Sequence, residues 1–227
     1  MLGERHRTED LLRTLNPVER ANAPENLYLL GDRSLLGLVP RVSIVGTRTP
    51  SPDGIKRARK LARELAENGI VVVSGLAKGI DAIAHRAAID AGGRTIAVLG
   101  TPLDESYPAE NRALQREIGE HHLLVSQFES GYPTTRTNFP RRNRTMALIS
   151  HATVIVEAGE GSGSLSQGWE ALRLGRELLI LRSVVSAKEL KWPAEMVKYG
   201  AQVLEKTSEL LENLPPVFGA PIESLAF

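Results

Sequence analysis

Cysteine does not occur among the 227 residues of this chain. Its absence excludes disulfides, thiolate metal ligands and a cysteine nucleophile. An excess of charge of one sign is also missing, because 28 basic residues face 27 acidic ones and leave a formal net charge of +1. Any attraction to a polyanion must therefore come from local clustering of basic residues, and not from the field of the whole molecule.

Long hydrophobic runs are absent as well. No apolar stretch approaches the roughly 20 residues that a membrane helix needs. The charged residues of segment 1–7 are not followed by the apolar core of a secretory signal. We therefore expect a cytoplasmic protein that does not associate with membranes.

Two nucleotide-binding motifs are missing too. The first predicted strand ends in Gly46-Thr47-Arg48 and not in a G-x-G-x-x-G turn, and no G-x-x-x-x-G-K-[ST] run occurs. The five histidines, at positions 6, 85, 121, 122 and 151, lack metal-ligand spacing. The sequence thus predicts no dinucleotide site, no P-loop and no metal site, and we expect no cofactor.

What the chain does contain is an alternation of short apolar runs with amphipathic segments. The apolar runs predict strands over residues 42–46, 70–75, 95–100, 123–126, 152–157 and 177–181, and helical spacing falls at residues 55–68, 81–91, 108–120 and 164–174. Continuous apolar strands separated by helices are typical of a parallel sheet that is covered on both faces. We therefore predict an α/β fold with a Rossmann-like, doubly wound, mostly parallel sheet.

The chain divides into three predicted segments. Residues 1–40 form an N-terminal extension, in which Leu11, Leu12 and Leu15 share one face of a short helix and residues 24–30 form a docking strand or extended arm. Residues 41–214 form the Rossmann-like core, which ends in further helices around the short apolar run 201–204. Residues 215–227 form a C-terminal tail.

Three loops bring small or basic residues to the edge where such sheets bind ligands, outside the carboxyl ends of the strands. Each loop opens a helix, and the N-terminus of a helix favours an anion. One loop alone would say little, because tight β-α turns need glycine in any case. The residues of this predicted site are Gly46, Thr47, Arg48, Ser74, Gly75, Lys78, Gly79, Gly161, Gly163 and Ser164.

A basic cluster completes the predicted site. It consists of Arg141, Arg142, Asn143 and Arg144, with a short helical run after it, and no acidic residue occurs between positions 130 and 156. A cationic cluster beside free backbone N–H groups suits a polyanion, although a charge run is often only a solvated face. We expect guanidinium groups from several loops to converge over one rim.

Several long motifs of this chain occur in one order. They are Val45-Gly46-Thr47-Arg48, Ser74-Gly75-Leu76-Ala77-Lys78-Gly79-Ile80-Asp81, Phe139-Pro140-Arg141-Arg142-Asn143-Arg144 and Ser162-Gly163-Ser164-Leu165. In this order they resemble the DprA/Smf family of bacterial DNA-processing proteins, over about residues 24–214.

That resemblance implies a protein that binds and protects single-stranded DNA in DNA uptake and recombination, contacts a RecA-type recombinase and forms a homodimer, with no catalysis. Carried over by position, the five basic residues at 48, 78, 141, 142 and 144 would contact DNA, and Gly46, Gly75, Gly79, Gly163 and Ser164 would line a phosphate pocket. The accessory domains of the family are expected to be missing here. Recombinase contact is therefore less firmly implied than nucleic-acid binding.

Two alternatives remain open from the sequence. The wider superfamily includes LOG-type nucleotide phosphoribohydrolases, whose loop carries a catalytic carboxylate. Here the matching positions hold serine and glutamine, and Glu157 and Glu170 are the possible substitutes. The other alternative is a sensor that binds a small nucleotide in the same pocket. Asp81 is read as a helix cap and His85 as its hydrogen-bonded neighbour.

Overall fold

A computed structural model describes residues 3–12, 15–37 and 40–215 of the chain, which form a nine-stranded sheet with helices on both faces. The strands are β1 (Glu4–Arg7), β2 (Asn26–Gly31), β3 (Arg41–Gly46), β4 (Val71–Ser74), β5 (Thr95–Leu99), β6 (Leu123–Ser126), β7 (Ala152–Glu157), β8 (Glu177–Leu181) and β9 (Gln202–Leu204). The helices are α1 (Thr8–Leu11), α2 (Pro17–Asn22), α3 (Pro52–Glu67), α4 (Ile80–Asp90), α5 (Arg112–His121), α6 (Asn138–Ile149), α7 (Gly163–Arg173), α8 (Arg182–Val185), α9 (Trp192–Lys198) and α10 (Thr207–Asn213).

The strand order confirms the predicted doubly wound architecture. The sheet runs β1-β2-β6-β5-β4-β3-β7-β8-β9. All pairs from β6 to β9 are parallel, whereas β1 and β2 join the sheet antiparallel. The order reverses between β3 and β7, because the chain winds in one direction from β3 to β6 and in the other from β7 to β9. This reversal is the point at which such sheets form a ligand crevice.

Alternating side chains of the strands pack under the helices of the two faces. In β4, Val71 and Val73 belong to a cluster with residues of α6, α7 and α9, whereas Val72 belongs to a cluster with residues of α3, α4 and α10. This alternation follows from the two-residue period of a strand. Because both faces are buried, each central strand reads as a continuous apolar run, which is why the core strands could be recognised from sequence.

The N-terminal extension continues the sheet of the core. The docking strand predicted at 24–30 is confirmed as β2, which pairs with β6, and β1 then pairs with β2. The predicted short helix with Leu11, Leu12 and Leu15 on one face is wrong for the described residues, because α1 ends at Leu11; Leu12 and Leu15 are nevertheless buried. On α2, the buried Glu19 forms an ion pair with Arg176 of the core. The segment boundary at residue 40 stays a prediction, and the predicted tail lies outside the described residues beyond position 215.

Helix α6 begins earlier than the sequence predicted. The helical run was expected after the arginines, but α6 begins at Asn138 and includes all of them. Pro140 is its third residue, and proline is tolerated in the first turn because the N–H groups there have no partner within the helix. As a result the three arginines radiate from a helix.

Within the described residues, no helix is both long and apolar enough to cross a membrane.

Candidate nucleic-acid interface

A small cleft opens at the carboxyl edge of the sheet, above β4 and β5. It collects three cations, from the loop after β3, the loop after β4 and the first turns of α6, and it also holds two aromatic rings. We refer to it as the cleft. Its lining consists of Arg48, Gly75, Ala77, Lys78, Gly100, Tyr107, Pro108, Phe139 and Arg142.

Two loops are packed together so that Arg48 and Lys78 share one side of the cleft. Gly79 has a φ of +75°, and a Cβ at this position would collide with the carbonyl oxygen of Thr47. The next residue, Ile80, donates its N–H to the same oxygen at 3.2 Å. Glycine is required at position 79 for both reasons, and the close approach fixes the loop after β4 against the loop after β3.

Arg142 forms the floor of the cleft and is held rigidly. It is buried, and its Nη1 donates to the carbonyl oxygen of Gly75 and, at 2.8 Å, to that of Val98. Its Nε donates to the side chain of Asn143 at 3.0 Å. A Cβ on Gly75 would collide with Nη1, so a glycine is needed there for the guanidinium to reach its place.

Asp81 supplies the opposite charge beneath the floor. Its carboxylate accepts hydrogen bonds from the backbone N–H groups of Gly75 at 3.2 Å and Ala77 at 3.3 Å, so it holds the loop and does not cap α4. Burial raises the pKa of Asp81, while Arg142 and these hydrogen bonds act in the opposite direction. Burial also lowers the pKa of Arg142, which the charge of Asp81 opposes. The two residues stabilise each other in a place where either alone would be costly.

The cations at the mouth are accessible to solvent. Arg48 is exposed and makes no hydrogen bond or ion pair within residues 3–12, 15–37 and 40–215. It lies close enough to Arg142 for their like charges to lower the pKa of Arg142. Lys78 is half exposed and forms an ion pair with Glu110. Three cations line the cleft and none of its described lining residues is acidic, so the cleft suits an anion.

Two rings form the other wall. The rings of Tyr107 and Phe139 lie with their centroids 5.4 Å apart at an interplanar angle of 46°. Tyr107 is 51% exposed, and Phe139 is half-buried against Gly100, where a Cβ would lie 2.7 Å from the ring. The wall therefore presents an accessible aromatic surface next to fixed positive charge.

Three predicted site residues lie beneath the rim and shape it. Ser74 is buried and donates its hydroxyl to the carbonyl oxygen of Ile44 at 2.6 Å. Thr47 donates its N–H to the carbonyl oxygen of Glu157 at 2.7 Å. A Cβ on Gly46 would lie 2.6 Å from the side chain of Ile80, so this glycine allows α4 to pack closely. Their side chains do not line the cleft.

The loop after β7 lies on the same edge of the sheet but outside the lining of the cleft. Gly161 has a φ of +71° with open space around it, and Gly163 is exposed. The carbonyl oxygen of Gly163 accepts a hydrogen bond from Asn143 at 3.2 Å, which ties this loop to α6. The hydroxyls of Ser162 and Ser164 bond to each other at 2.7 Å. The structure therefore places Gly161, Gly163 and Ser164 beside α6 and not among the cations.

The arginine cluster is divided between two faces of α6, which corrects the expectation of one shared rim. Arg142 enters the cleft, whereas Arg141 and Arg144 line a second depression, which we name the α6 groove. Arg141 and Arg144 are three positions apart and therefore share a face of the helix. Arg142 points about 100° away from Arg141. The α6 groove is lined by Ala21, Asn22, Ala23, Pro24, Glu25, Asn26, Tyr28, Gln127, Arg141, Arg144 and Thr145.

The carboxylates considered for catalysis are already engaged. Glu157 accepts hydrogen bonds from the N–H of Ser51 at 2.9 Å and from its hydroxyl at 2.6 Å, so it occupies the N-terminus of α3 at the β3–β7 reversal. Glu170 forms ion pairs with Arg144 and Arg173. No cluster of three or more potential metal-ligating side chains is found in the part of the chain that the structure describes.

Sequence reasoning left several lining residues out of the predicted site. Gly100, Tyr107 and Pro108 were not assigned a role, and Phe139 was named only within the arginine motif. The signal that could have found Gly100 is its place directly after the third core strand, the same place that Gly75 has after the second. Glu110, the partner of Lys78, lies in a short 3₁₀ helix (Ala109–Asn111) directly before α5, within the segment predicted as the helix 108–120.

Comparison with known proteins places this geometry in a family. A family model described as DNA recombination-mediator protein A matches residues 9–215. Protein Smf of Synechocystis is 39% identical over 199 residues, which cover 86% of this chain and 50% of Smf. The chain thus spans half the length of that curated relative.

Two solved structures are similar over nearly the whole chain. DNA processing protein A (DprA) of Streptococcus pneumoniae aligns with a TM-score of 0.82 and 33% identity, and covers 94% of this chain and 75% of its own. DNA processing protein A of Helicobacter pylori, whose structure was described for its single-stranded DNA binding mode, aligns with a TM-score of 0.77 and 31% identity over 95% of this chain and 97% of its own. With the family model matching from residue 9 to residue 215, this chain belongs to the DNA recombination-mediator protein A family, also known as DprA/Smf.

Proposed function

We propose that this chain binds single-stranded DNA in the cleft, as a DNA-processing protein of uptake and recombination. The observation that supports this most is the meeting of Arg48, Lys78 and Arg142 beside the rings of Tyr107 and Phe139. Proteins that bind single strands without sequence preference combine a positive groove with aromatic stacking surfaces. The single-stranded DNA binding described for the Helicobacter pylori relative supports the same function.

Each part of the cleft has a separate task in this proposal. A backbone phosphate lies at the mouth between Arg48 and Lys78, where its charge relieves the repulsion between Arg48 and Arg142. A base stacks on the exposed ring of Tyr107. Arg142 contributes a fixed positive charge from below, and it needs no reorganisation because its Nη1 is bound to two carbonyl oxygens.

The same parts favour a single strand over a duplex. In a duplex the bases are stacked on each other, so their faces are not available to a protein ring. A protein can then contact only the backbone and the edges of the bases in the grooves. Since the cleft places its cations within reach of an aromatic wall, it satisfies a phosphate and an unstacked base together.

A small nucleotide is a weaker fit than a strand. In doubly wound sheets a nucleotide phosphate binds at the N-terminus of the helix after the first strand. Here that position is filled by the carboxylate of Glu157, which is bound to the N–H and hydroxyl of Ser51. A Cβ on Gly54 would collide with the same carboxylate, so the space is occupied.

Binding without catalysis is the activity that we propose. Cleavage of a glycosidic bond needs a carboxylate beside the reacting carbon. Glu157 and Glu170 are the carboxylates that the sequence suggested for this role. Glu157 is hydrogen-bonded to Ser51, and Glu170 forms ion pairs with two arginines.

We further propose two protein partners for the bound form, a RecA-type recombinase and a second copy of this chain. The description of the family as recombination mediators supports the first. For the second, Val197 and Tyr199 are exposed large apolar side chains near the end of α9, and Tyr199 packs edge-on against Trp169 with centroids 5.5 Å apart. Trp192, at the start of the same helix, is buried and belongs to the core.

The double variant Arg48→Ala/Lys78→Ala tests the site. We expect it to bind a labelled oligothymidylate at least about tenfold more weakly at low salt. Its plot of log K against log salt should be shallower by about 1.4, because each phosphate contact on a single strand contributes roughly 0.7. Fluorescence anisotropy across a salt series measures both quantities.

Arg63→Ala is the matched control, because this exposed arginine lies near the C-terminal end of α3 and does not line the cleft. The control is expected to keep the affinity and slope of the unmodified protein. If the double variant binds as tightly as the control, the cleft is not the DNA site. If the unmodified protein prefers duplex DNA over single strands, the proposed function is wrong.

A further inference from the structure

The α6 groove is a second cationic depression that the cleft does not use. It has a volume of about 400 Å³ and lies on the other side of the first turns of α6. Arg141 and Arg144 are its cations. Glu25 is the carboxylate among its described lining residues, so the lining as a whole keeps a positive excess.

Arg141 is held in position and keeps its charge available. Its guanidinium lies 5.1 Å from the ring centroid of Phe128 and 5.8 Å from that of Tyr132, and its Nη1 donates to the Tyr132 hydroxyl at 3.0 Å. No carboxylate forms an ion pair with it within the described ranges. Contacts with rings and a hydroxyl orient a guanidinium without neutralising it, which prepares it for an anion.

Arg144 is only partly neutralised. Its Nε lies 3.2 Å from Oε2 of Glu170, but the same carboxylate also accepts a hydrogen bond from Nε of Arg173 at 3.0 Å. Two guanidinium groups therefore share one negative charge. The remaining positive charge is partly exposed, because 39% of the Arg144 side chain is accessible.

The rest of the lining suits a hydrated polar chain more than an apolar peptide. Asn22, Asn26, Gln127 and Thr145 offer amide and hydroxyl groups, and Tyr28 offers a half-buried ring. Phosphate and sugar oxygens are contacted by such side chains in nucleic-acid complexes. An acidic peptide is negatively charged, as phosphates are, and would also suit the two arginines. The position of the groove, however, favours a nucleic acid.

That position is directly beyond the cleft. Arg141, in the groove, and Arg142, in the cleft, are consecutive residues, so the two sites are separated only by the first turns of α6. A helix is about 10–12 Å wide with its side chains. Successive nucleotides of a strand are about 3.4 Å apart even when stacked. About three nucleotides are therefore enough to pass from one site to the other.

We propose that a DNA strand bound in the cleft continues over the first turns of α6 into the α6 groove, where Arg141 and Arg144 contact its phosphates. This inference rests on the proposed function of the cleft and adds to it. The cleft then binds any short oligonucleotide, and the groove adds affinity only for a strand long enough to reach it.

Binding of oligothymidylates of two lengths to the full chain tests this proposal. One is a dinucleotide, which is too short to pass from the cleft to the groove, and the other has about twelve nucleotides. For Arg141→Ala/Arg144→Ala we expect unchanged affinity for the short strand. For the long strand we expect binding about tenfold weaker and a salt slope shallower by about 1.4, from two lost phosphate contacts. Arg141→Lys/Arg144→Lys keeps the charge and should keep most of the slope.

Other results would overturn the proposal. If the alanine variant binds the short and the long oligothymidylate more weakly by the same factor, the two arginines act on the cleft or on the fold and no second site exists. If it loses nothing on the long strand, the groove serves another ligand, such as an acidic peptide. A failure of the cleft itself is distinguishable, because Arg48→Ala/Lys78→Ala would then leave both lengths unaffected. Thermal unfolding of each variant shows whether the fold is intact.

Discussion

Replacing Arg142 with alanine is expected to lower the free energy of unfolding by about 3–5 kcal/mol, the usual cost of leaving a buried charge uncompensated. The variant leaves the buried Asp81 without its countercharge and removes the guanidinium donor from the carbonyl oxygens of Gly75 and Val98. Urea unfolding followed by circular dichroism measures the loss as a lower transition midpoint.

The neighbouring arginine provides the control for this prediction. Arg141→Ala removes the same side chain one position earlier, but from an exposed site, and is expected to cost no more than about 1 kcal/mol. The loss in free energy of unfolding in the double variant Asp81→Asn/Arg142→Met should differ strongly from the sum of the losses in the two single variants, because the two residues are electrostatically coupled. Equal midpoints for Arg142→Ala and Arg141→Ala would show that Arg142 is not a structural part of the cleft.

Acid is expected to destabilise the protein through His85. Burial, with smaller effects of His122 and Arg142, lowers the pKa of His85 from 6.5 to about 3. The folded state therefore binds this proton less readily than the unfolded state. The stabilising contribution is complete above about pH 6.5 and is lost as the pH falls toward 3, at about 1.4 kcal/mol for each pH unit.

The environment of His85 explains why the imidazole stays neutral. Thr95 donates its hydroxyl to the carbonyl oxygen of Val72 at 2.8 Å, so the 2.6 Å contact between its oxygen and Nδ1 of His85 requires a proton on Nδ1. Nε2 is buried and has no hydrogen-bond partner within the described residues. Protonation would place a positive charge in this buried site.

His85→Asn isolates this effect, because asparagine can still donate to Thr95 but does not titrate. When the pH falls from 6.5 to 5, the free energy of unfolding of the unmodified protein should decrease by about 2 kcal/mol more than that of the variant. Urea unfolding at a series of pH values gives the difference directly. A constant difference between the two proteins across that range would contradict the assignment. Burial also lowers the pKa of His151, to about 4, but this contribution is common to both proteins.

The core of the fold could be predicted because its physics is local. Strands that are buried on both faces must be apolar throughout, so β3 to β8 stand out in the sequence. Strand β1 could not be found in this way. Its sequence, Glu4-Arg5-His6-Arg7, is charged and largely exposed, and it is a strand because it pairs with β2 at the edge of the sheet.

The candidate site was predictable where a residue's place follows from the end of a strand. Arg48, Gly75 and Lys78 were expected at the carboxyl edge, and the structure brings them to one cleft. The division between Arg141 and Arg142 was not predictable without the start of α6, because a shift of that boundary changes the direction of each side chain by about 100° per residue.

The engagement of Glu157 was also beyond the sequence. Its partner Ser51 is more than a hundred positions away, and the two meet because β3 and β7 are neighbours at the reversal of the sheet. The contact by which Glu157 occupies the N-terminus of α3 is thus set by topology, and no sequence motif indicates it.

A structure of the full chain with a bound oligothymidylate tests the central claim most directly. It should show a backbone phosphate within hydrogen-bond distance of Arg48 and Lys78, with a base against the ring of Tyr107 and Arg142 unmoved beneath them. A strand bound at another face, with Arg48, Lys78 and Tyr107 still in contact with solvent, would contradict it.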